Sequence, residues 1–245
     1  MNVEFWRPMP IKSSYSQSFE SHRRIHPRWW DSDFCLLRGL AAEVGRFAST
    51  VLPTETVVDF GCGAKPYRSL FPMASSYLGV DIAGNPNADL TVNAEGHIPL
   101  AEGSADCVLS TQVVYLVASY PFYLAECRRI LKPGGRLLLT THGTWTHHPA
   151  SGGDYYRFTQ DGVRRILTEA GFGVDDIRPV VGTLGTGLHL RQLVFNSWLR
   201  RLRMRWIANS FNVMMNARIL IEDKLCPEGT RMSCPVIFVC SAHAT

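Results

Sequence analysis

Two carboxylates and two glycines carry the first chemical signal in this sequence. Val57-Val58-Asp59-Phe60 is a short apolar run that enters a Gly61-Cys62-Gly63 turn. Glycines at that point let backbone pass close to a ligand, where a side chain would block it. Amide donors at the following chain start would then face a polar or anionic group. Asp81 ends the next apolar run, Tyr77-Leu78-Gly79-Val80, 22 positions after Asp59. A carboxylate so placed can accept hydrogen bonds from both hydroxyls of a ribose. The two features together point to a nucleoside-bearing ligand. A dinucleotide site would need a third glycine at position 66, and the sequence has Pro66, so the close helix–strand contact of a pyrophosphate site is not specified.

The elements that must position these residues follow from periodicity. Phe34, Leu37, Leu40, Ala41, Val44 and Phe47 recur at threes and fours, which predicts an amphipathic helix from Asp33, its expected cap, to about Thr50. Strands are expected at 56–60, 77–81, 90–92, 105–109 and 136–141, and around 174–181. Helices are expected over 121–131, stopped by Lys132-Pro133-Gly134-Gly135, and over 160–170, ended by Gly171. Short apolar strands alternating with helices imply a parallel sheet covered on both faces. Between 182 and 232 no strand is expected, and Phe195, Trp198, Leu199, Leu202 and Trp206 form one stripe. That segment reads as a helical insertion before a last strand at 235–241.

Composition narrows the function. The 245 residues are 46% hydrophobic and 19% charged, enough to bury a core. A net charge of +4 is not the footprint of a dedicated nucleic-acid binder. Seven cysteines occur without a C-x-x-C pair, which argues against a disulfide framework and a zinc site, and for a reduced, intracellular setting. No apolar run reaches the length of a membrane span, and the prolines and Glu4 of the N-terminus do not suit a secretory peptide. A cytoplasmic protein is expected, with peripheral membrane contact open.

The string V-V-D-F-G-C-G, then G-V-D-I, then I-P-L-A-E-G-S-A-D-C-V-L-S-T-Q-V-V, then R-I-L-K-P-G-G-R-L-L-L-T-T resembles the class I S-adenosylmethionine-dependent methyltransferases, closest to their small-molecule branch (the methyltransferase type 11 group). The likeness runs from about Val57 to Val181, about half the chain. It implies a Rossmann-like seven-stranded, mostly parallel α/β sheet with an antiparallel last strand. One methyltransferase domain is expected, with an N-terminal arm and helix (1–52), a cofactor core (53–181), a helical lid (182–232) and the last strand (233–245). S-adenosyl-L-methionine would be the cofactor and S-adenosyl-L-homocysteine the product. Gly61 and Gly63 would line the methionine portion, with Asp59 near its amino group. Asp81 would hold the ribose and Ile82 would pack on the adenine. Asn93 and Ala94 would meet the adenine edge, although the family usually has aspartate where this chain has Asn93. Thr111 would lie beneath the methyl donor.

A further string, His147-His148-Pro149 followed by Asp154-Tyr155-Tyr156-Arg157-Phe158-Thr159, resembles a subset of these enzymes. His148 could accept a proton at neutral pH. Asp154 and Arg157 could equally be an ion pair that pins a loop. Many relatives carry a Glu-His pair after the fourth strand, where this chain has Tyr115-Leu116, so a base there is missing and Tyr115 would shape the pocket. His142 stands where the family often has proline; it would face the substrate or be buried and hydrogen-bonded. The candidates for chemistry are therefore His148, His142 and Tyr115, and for the acceptor Tyr155, Arg157 and Trp198. The expected reaction is methyl transfer to an O, N or C nucleophile of a small molecule, with no metal required and no DNA. An RNA methyltransferase, using the arginines near 200–205, and a non-catalytic cofactor-binding member are the rival readings.

Overall fold

In the computed structural model, residues 21–147 and 153–245 are described. The elements run α1 (Phe34–Ala48), β1 (Thr56–Phe60), a 3-10 turn (Arg68–Leu70), β2 (Ser76–Asp81), β3 (Leu90–Thr91), β4 (Ala105–Thr111), α2 (Tyr120–Ile130) and β5 (Leu131–His142). Then come α3 (Gln160–Glu169), β6 (Phe172–Val180), α4 (Thr183–Arg201), α5 (Arg205–Leu225), α6 (Glu228–Arg231) and β7 (Ile237–Ala244). The seven strands form one sheet in the order β3-β2-β1-β4-β5-β7-β6. β7 runs antiparallel between β5 and β6, and β1 to β5 pair in parallel. The strand order reverses between β1 and β4, which opens the expected ligand crevice at the carboxyl ends of these two strands.

Alternating side chains divide the core in two. Val58, Phe60, Val108, Leu137, Leu139 and Phe238 face α2 and α3, whereas Val57, Cys107, Leu109, Leu138, Ile237 and Val239 face α1 and the α4–α5 pair. This is the period of two expected of strands buried on both faces. Thr159 caps α3 as its hydroxyl accepts from Gly162 N at 3.1 Å, the usual remedy for an orphan donor. Asp33 starts α1 but makes no side-chain cap; its carboxylate is taken by Arg23 at 2.6 Å. The Lys132–Gly135 turn does not stop β5 from beginning earlier: Leu131 already pairs with Ala105, and the register resumes at Cys107↔Arg136. Asp106 rivets that irregularity, accepting from Lys132 Nζ at 2.6 Å and from Thr56 N at 2.9 Å.

The insertion is helical, as expected, but its buried face is not the expected aromatic stripe. α4 buries Leu188, His189, Gln192 and Leu199, and α5 buries Ala208, Asn212, Met215, Asn216 and Ile219. Polar side chains hold this face: Gln192 donates to Asn216 at 3.1 Å, and Asn216 donates to the carbonyls of Trp29 and Asp31 at 2.8 and 2.9 Å. With those amides bonded inside, Phe195, Trp198, Leu202 and Trp206 are turned outward.

Candidate functional site

β1 delivers Asp59 to the carboxyl edge from the middle of the sheet, where the side chain is 1% exposed. Its Oδ2 accepts from the Tyr77 hydroxyl at 2.7 Å, while Oδ1 has no hydrogen-bond partner among the described residues. Burial, with help from Asp81, raises its carboxyl to about 7, against the Tyr77 hydrogen bond and the charges of Lys65 and Arg24. A buried oxygen with a spare lone pair and a raised pKa is a socket for a cationic donor.

The turn after Asp59 needs its glycines for different reasons. Gly61 has φ 80°, and a Cβ there would come within 2.4 Å of Val113. Gly63 has φ 54° and nothing within 4 Å of a would-be Cβ, so it faces open space that a ligand can use. Gly61 and Cys62 both donate to the Val80 carbonyl, at 2.8 and 3.1 Å, which ties the turn to the end of β2. There Asp81 Oδ2 accepts from Gly63 N at 2.8 Å and Asn85 Nδ2 at 2.6 Å, and Oδ1 accepts from Ile82 N at 2.8 Å. Asn85 also donates to the Gly63 carbonyl at 2.7 Å. This asparagine, which sequence reasoning passed over, staples the turn to the carboxylate; its signal was its place four residues after Asp81. Tyr123, also missed, bridges Ser110 at 2.8 Å and the Phe60 carbonyl at 3.1 Å beneath the site.

The expected adenine side is more exposed. Ile82 is half-buried against the core. Asn93 and Ala94 are exposed, and Asn93 Oδ1 accepts from His97 N at 2.8 Å, closing its own turn. That turn hangs on Glu126. Burial would raise this carboxyl, but hydrogen bonds from Arg129, Ile98 N and His97 outweigh it and hold the pKa at about 2.

On the acceptor side, β4 ends at half-buried Thr111 and the chain turns through Gln112 at φ 60°. Tyr115 and His142 follow at the same edge, both 5% exposed, with ring centroids 4.6 Å apart. Trp145 stacks on His142 at 4.9 Å, and His189 of α4 on Trp145 at 5.4 Å. Burial pushes the Tyr115 phenol up to about 12, with Asp154 adding to it and Arg24 and Arg157 opposing. At neutral pH it stays protonated and can donate but not take a proton. Arg157 sits 5.5 Å over the Tyr115 ring, and its five N–H groups go to Asp154 twice and to the carbonyls of Trp145, Thr146 and Tyr156. With no donor to spare, Arg157 anchors the loop; of the two readings its spacing allowed, the geometry favours the pinning ion pair. Tyr155 and Trp198 are 52% and 56% exposed, and Trp198 lies on the outer side of α4. His148 lies outside the described residues. Among the described residues no group of three or more His, Cys, Asp or Glu is placed to hold a metal.

Residues 58–139 match a family described as a methyltransferase domain. That stretch is similar to a methyltransferase domain, and the seven-stranded sheet that holds it has the fold of S-adenosylmethionine-dependent methyltransferases. The residues present fit S-adenosylmethionine, the cofactor that the resemblance implies: an open left-handed glycine turn, an unpartnered buried carboxylate oxygen and a second carboxylate 22 positions on. The methyltransferase domain is similar to a ubiquinone biosynthesis O-methyltransferase of Cereibacter sphaeroides, 31% identical over 159 residues that cover 58% of this chain and 60% of that one. Across the curated relatives it matches, the chain spans from 26% to 60% of their length. Its fold is shared with an S-adenosylmethionine-dependent methyltransferase from Mesorhizobium loti, at 16% identity, TM-score 0.55 and coverage of 84% and 97%. It is shared equally with the [4+2]-cyclase SpnF, at 15% identity, TM-score 0.55 and coverage of 96% and 98%. The fold therefore hosts more than one chemistry.

Proposed function

We propose that the chain transfers a methyl group from S-adenosylmethionine to an O, N or C nucleophile of a small molecule. The observation that carries this reading is the unpartnered Oδ1 of Asp59 beneath the open glycine turn. It is a deeply buried acceptor at the end of β1, directly before the glycine turn where the cofactor's ammonium would lie. Bound there, the cofactor would supply a methyl already activated on a sulfonium, to be taken by the acceptor's nucleophile with the carbon–sulfur electron pair left on sulfur. The protein's own work is alignment and exclusion of water. Asp59 and Asp81 fix the two ends of the nucleoside amino acid, and Gly61 and Gly63 allow close approach. Tyr115, His142 and Trp145 form an aromatic wall beside the turn, which suits a small acceptor with flat or apolar parts better than a polyanionic one. His142 is the candidate proton acceptor among the described residues, a role worth on the order of 10²–10⁴ in rate. A cytoplasmic setting is part of the same reading; the described residues contain no helix long and apolar enough to cross a membrane.

The test is incubation of the purified chain with methyl-labelled cofactor and a metabolite extract, followed by mass spectrometry for labelled products. Label should appear with the wild type and vanish with Asp81→Ala. Tight cofactor binding with no labelled product from extract would place the chain with non-methylating users of this fold.

A further inference from the structure

Among the described residues, seventeen large apolar side chains are exposed, and twelve of them lie between 184 and 225. They crowd the α4–α5 pair, whose contacts run antiparallel: Phe195 meets Phe211 edge-on at 5.9 Å and Gln192 reaches Asn216. Trp206 is 87% exposed and Trp198 56%. On α4, Val194, Trp198 and Leu202 recur at fours, and on α5 Ile207, Met214 and Ile221 recur at sevens, so each helix shows an apolar stripe. Patches of this kind mark interaction sites rather than ordinary surface.

The charge around the tryptophans and the turn between the two helices has one sign. Between Asp176 and Glu222 the sequence contains seven arginines and no carboxylate. Four of them, Arg200, Arg201, Arg203 and Arg205, gather where α4 turns into α5. None of the four pairs with a carboxylate among the described residues; Arg200 bonds only the Asn196 and Asn209 side chains. Arg203 occupies the turn at φ 59°, a conformation in which glycine or asparagine would be less strained. The turn keeps an arginine at a position that backbone geometry does not favour.

We propose that the α4–α5 hairpin docks on the surface of an anionic lipid bilayer. Protruding tryptophans at the headgroup level, aliphatic side chains beside them and arginines that reach phosphates are the chemistry of an interfacial helix pair. A second copy of this chain fits less well. A two-fold contact through this face would set the arginine cluster against itself, because the hairpin's two acids, Glu222 and Asp223, are already paired with Arg218 and Arg231. A protein partner would more commonly find a groove, whereas here the largest side chains stand out from the surface.

The experiment is flotation of the full chain with vesicles of phosphatidylcholine alone or with one-third phosphatidylglycerol, at low and raised salt. Light scattering of the free protein accompanies it. The wild type is expected to float with the anionic vesicles only, and to lose binding on the order of tenfold as salt rises. Trp198→Ser with Trp206→Ser, and separately Arg201→Glu with Arg203→Glu and Arg205→Glu, should each remove flotation. Both sets keep the wild-type thermal midpoint, since Trp206 and the arginines are exposed. Wild type that stays with the free protein in the presence of anionic vesicles overturns the proposal, as does equal flotation of both variants. A wild-type dimer in solution that the tryptophan variant dissolves, without vesicle binding, overturns it in favour of a contact between copies.

Discussion

Asp59→Asn probes the electrostatic centre of the proposed cofactor site. In the ligand-free protein, burial holds this carboxyl at about 7 rather than 3.8. A folded value above the unfolded one means its contribution to stability is complete below pH 3.8 and lost as the pH rises through about 7, on the order of 4 kcal/mol in all. An ammonium beside Oδ1 reverses that balance, because the charged carboxylate is then the paired form. At pH 6 about nine-tenths of the ligand-free molecules carry the proton, so binding S-adenosylhomocysteine should expel most of one proton. Calorimetry in two buffers of different ionisation enthalpy counts it: close to one proton at pH 6, about half at pH 7 and little near pH 9. The asparagine variant should release none. Its melting temperature should no longer fall between pH 4 and pH 7, and its affinity should drop roughly 10- to 150-fold, as for a lost charge-assisted hydrogen bond of about 1.5–3 kcal/mol. Unchanged affinity, or the same proton count in the variant, refutes the assignment of Asp59 to the cofactor's ammonium.

Further outcomes are expected from the same geometry. Gly61→Ala should abolish cofactor binding and destabilise the fold by more than Gly63→Ala. The first meets both φ 80° and the Val113 methyl at 2.4 Å, the second only φ 54°, worth about 1 kcal/mol; denaturant titration ranks the pair. Asn85→Ala should loosen Asp81 from the glycine turn and weaken S-adenosylhomocysteine binding up to about tenfold, read by calorimetry, with the melting temperature little changed. Arg157→Ala leaves the Asp154 carboxylate, 2% exposed, without its bidentate partner and should cost about 3 kcal/mol at neutral pH; Arg157→Lys should recover only part of it. Glu126, held at about 2 against an ordinary 4.5, contributes stability that is whole above pH 4.5 and lost as the pH falls toward 2. Glu126→Gln should therefore flatten the acid limb of the melting curve, and an unchanged limb would place that sensitivity elsewhere.

The sequence alone picked out the glycine turn and the two carboxylates that the fold gathers at the carboxyl edge. Glycines forced by φ and close approach, an acidic residue at each of two strand ends, and apolar runs of period two are local features, so Asp59, Gly61, Gly63 and Asp81 were legible without coordinates. Only the tertiary structure decided what pairs across the chain. Tyr77 lies in an apolar strand and Tyr123 in a helix, yet they hold Asp59 and the Phe60 carbonyl through hydroxyls that no periodicity reveals. Arg157 could be a substrate ligand or a rivet until the carbonyls of Trp145 and Thr146 came within reach of its guanidinium. The 182–232 segment shows the limit most clearly. Its aromatic stripe has the spacing of a buried face, but Gln192 donates to Asn212 and Asn216, and these donate to the Trp29–Asp31 carbonyls, so the polar face went inward and the tryptophans out. Helical spacing says which residues share a face; which face is buried depends on the partner brought to it, and that partner lies more than 180 residues away.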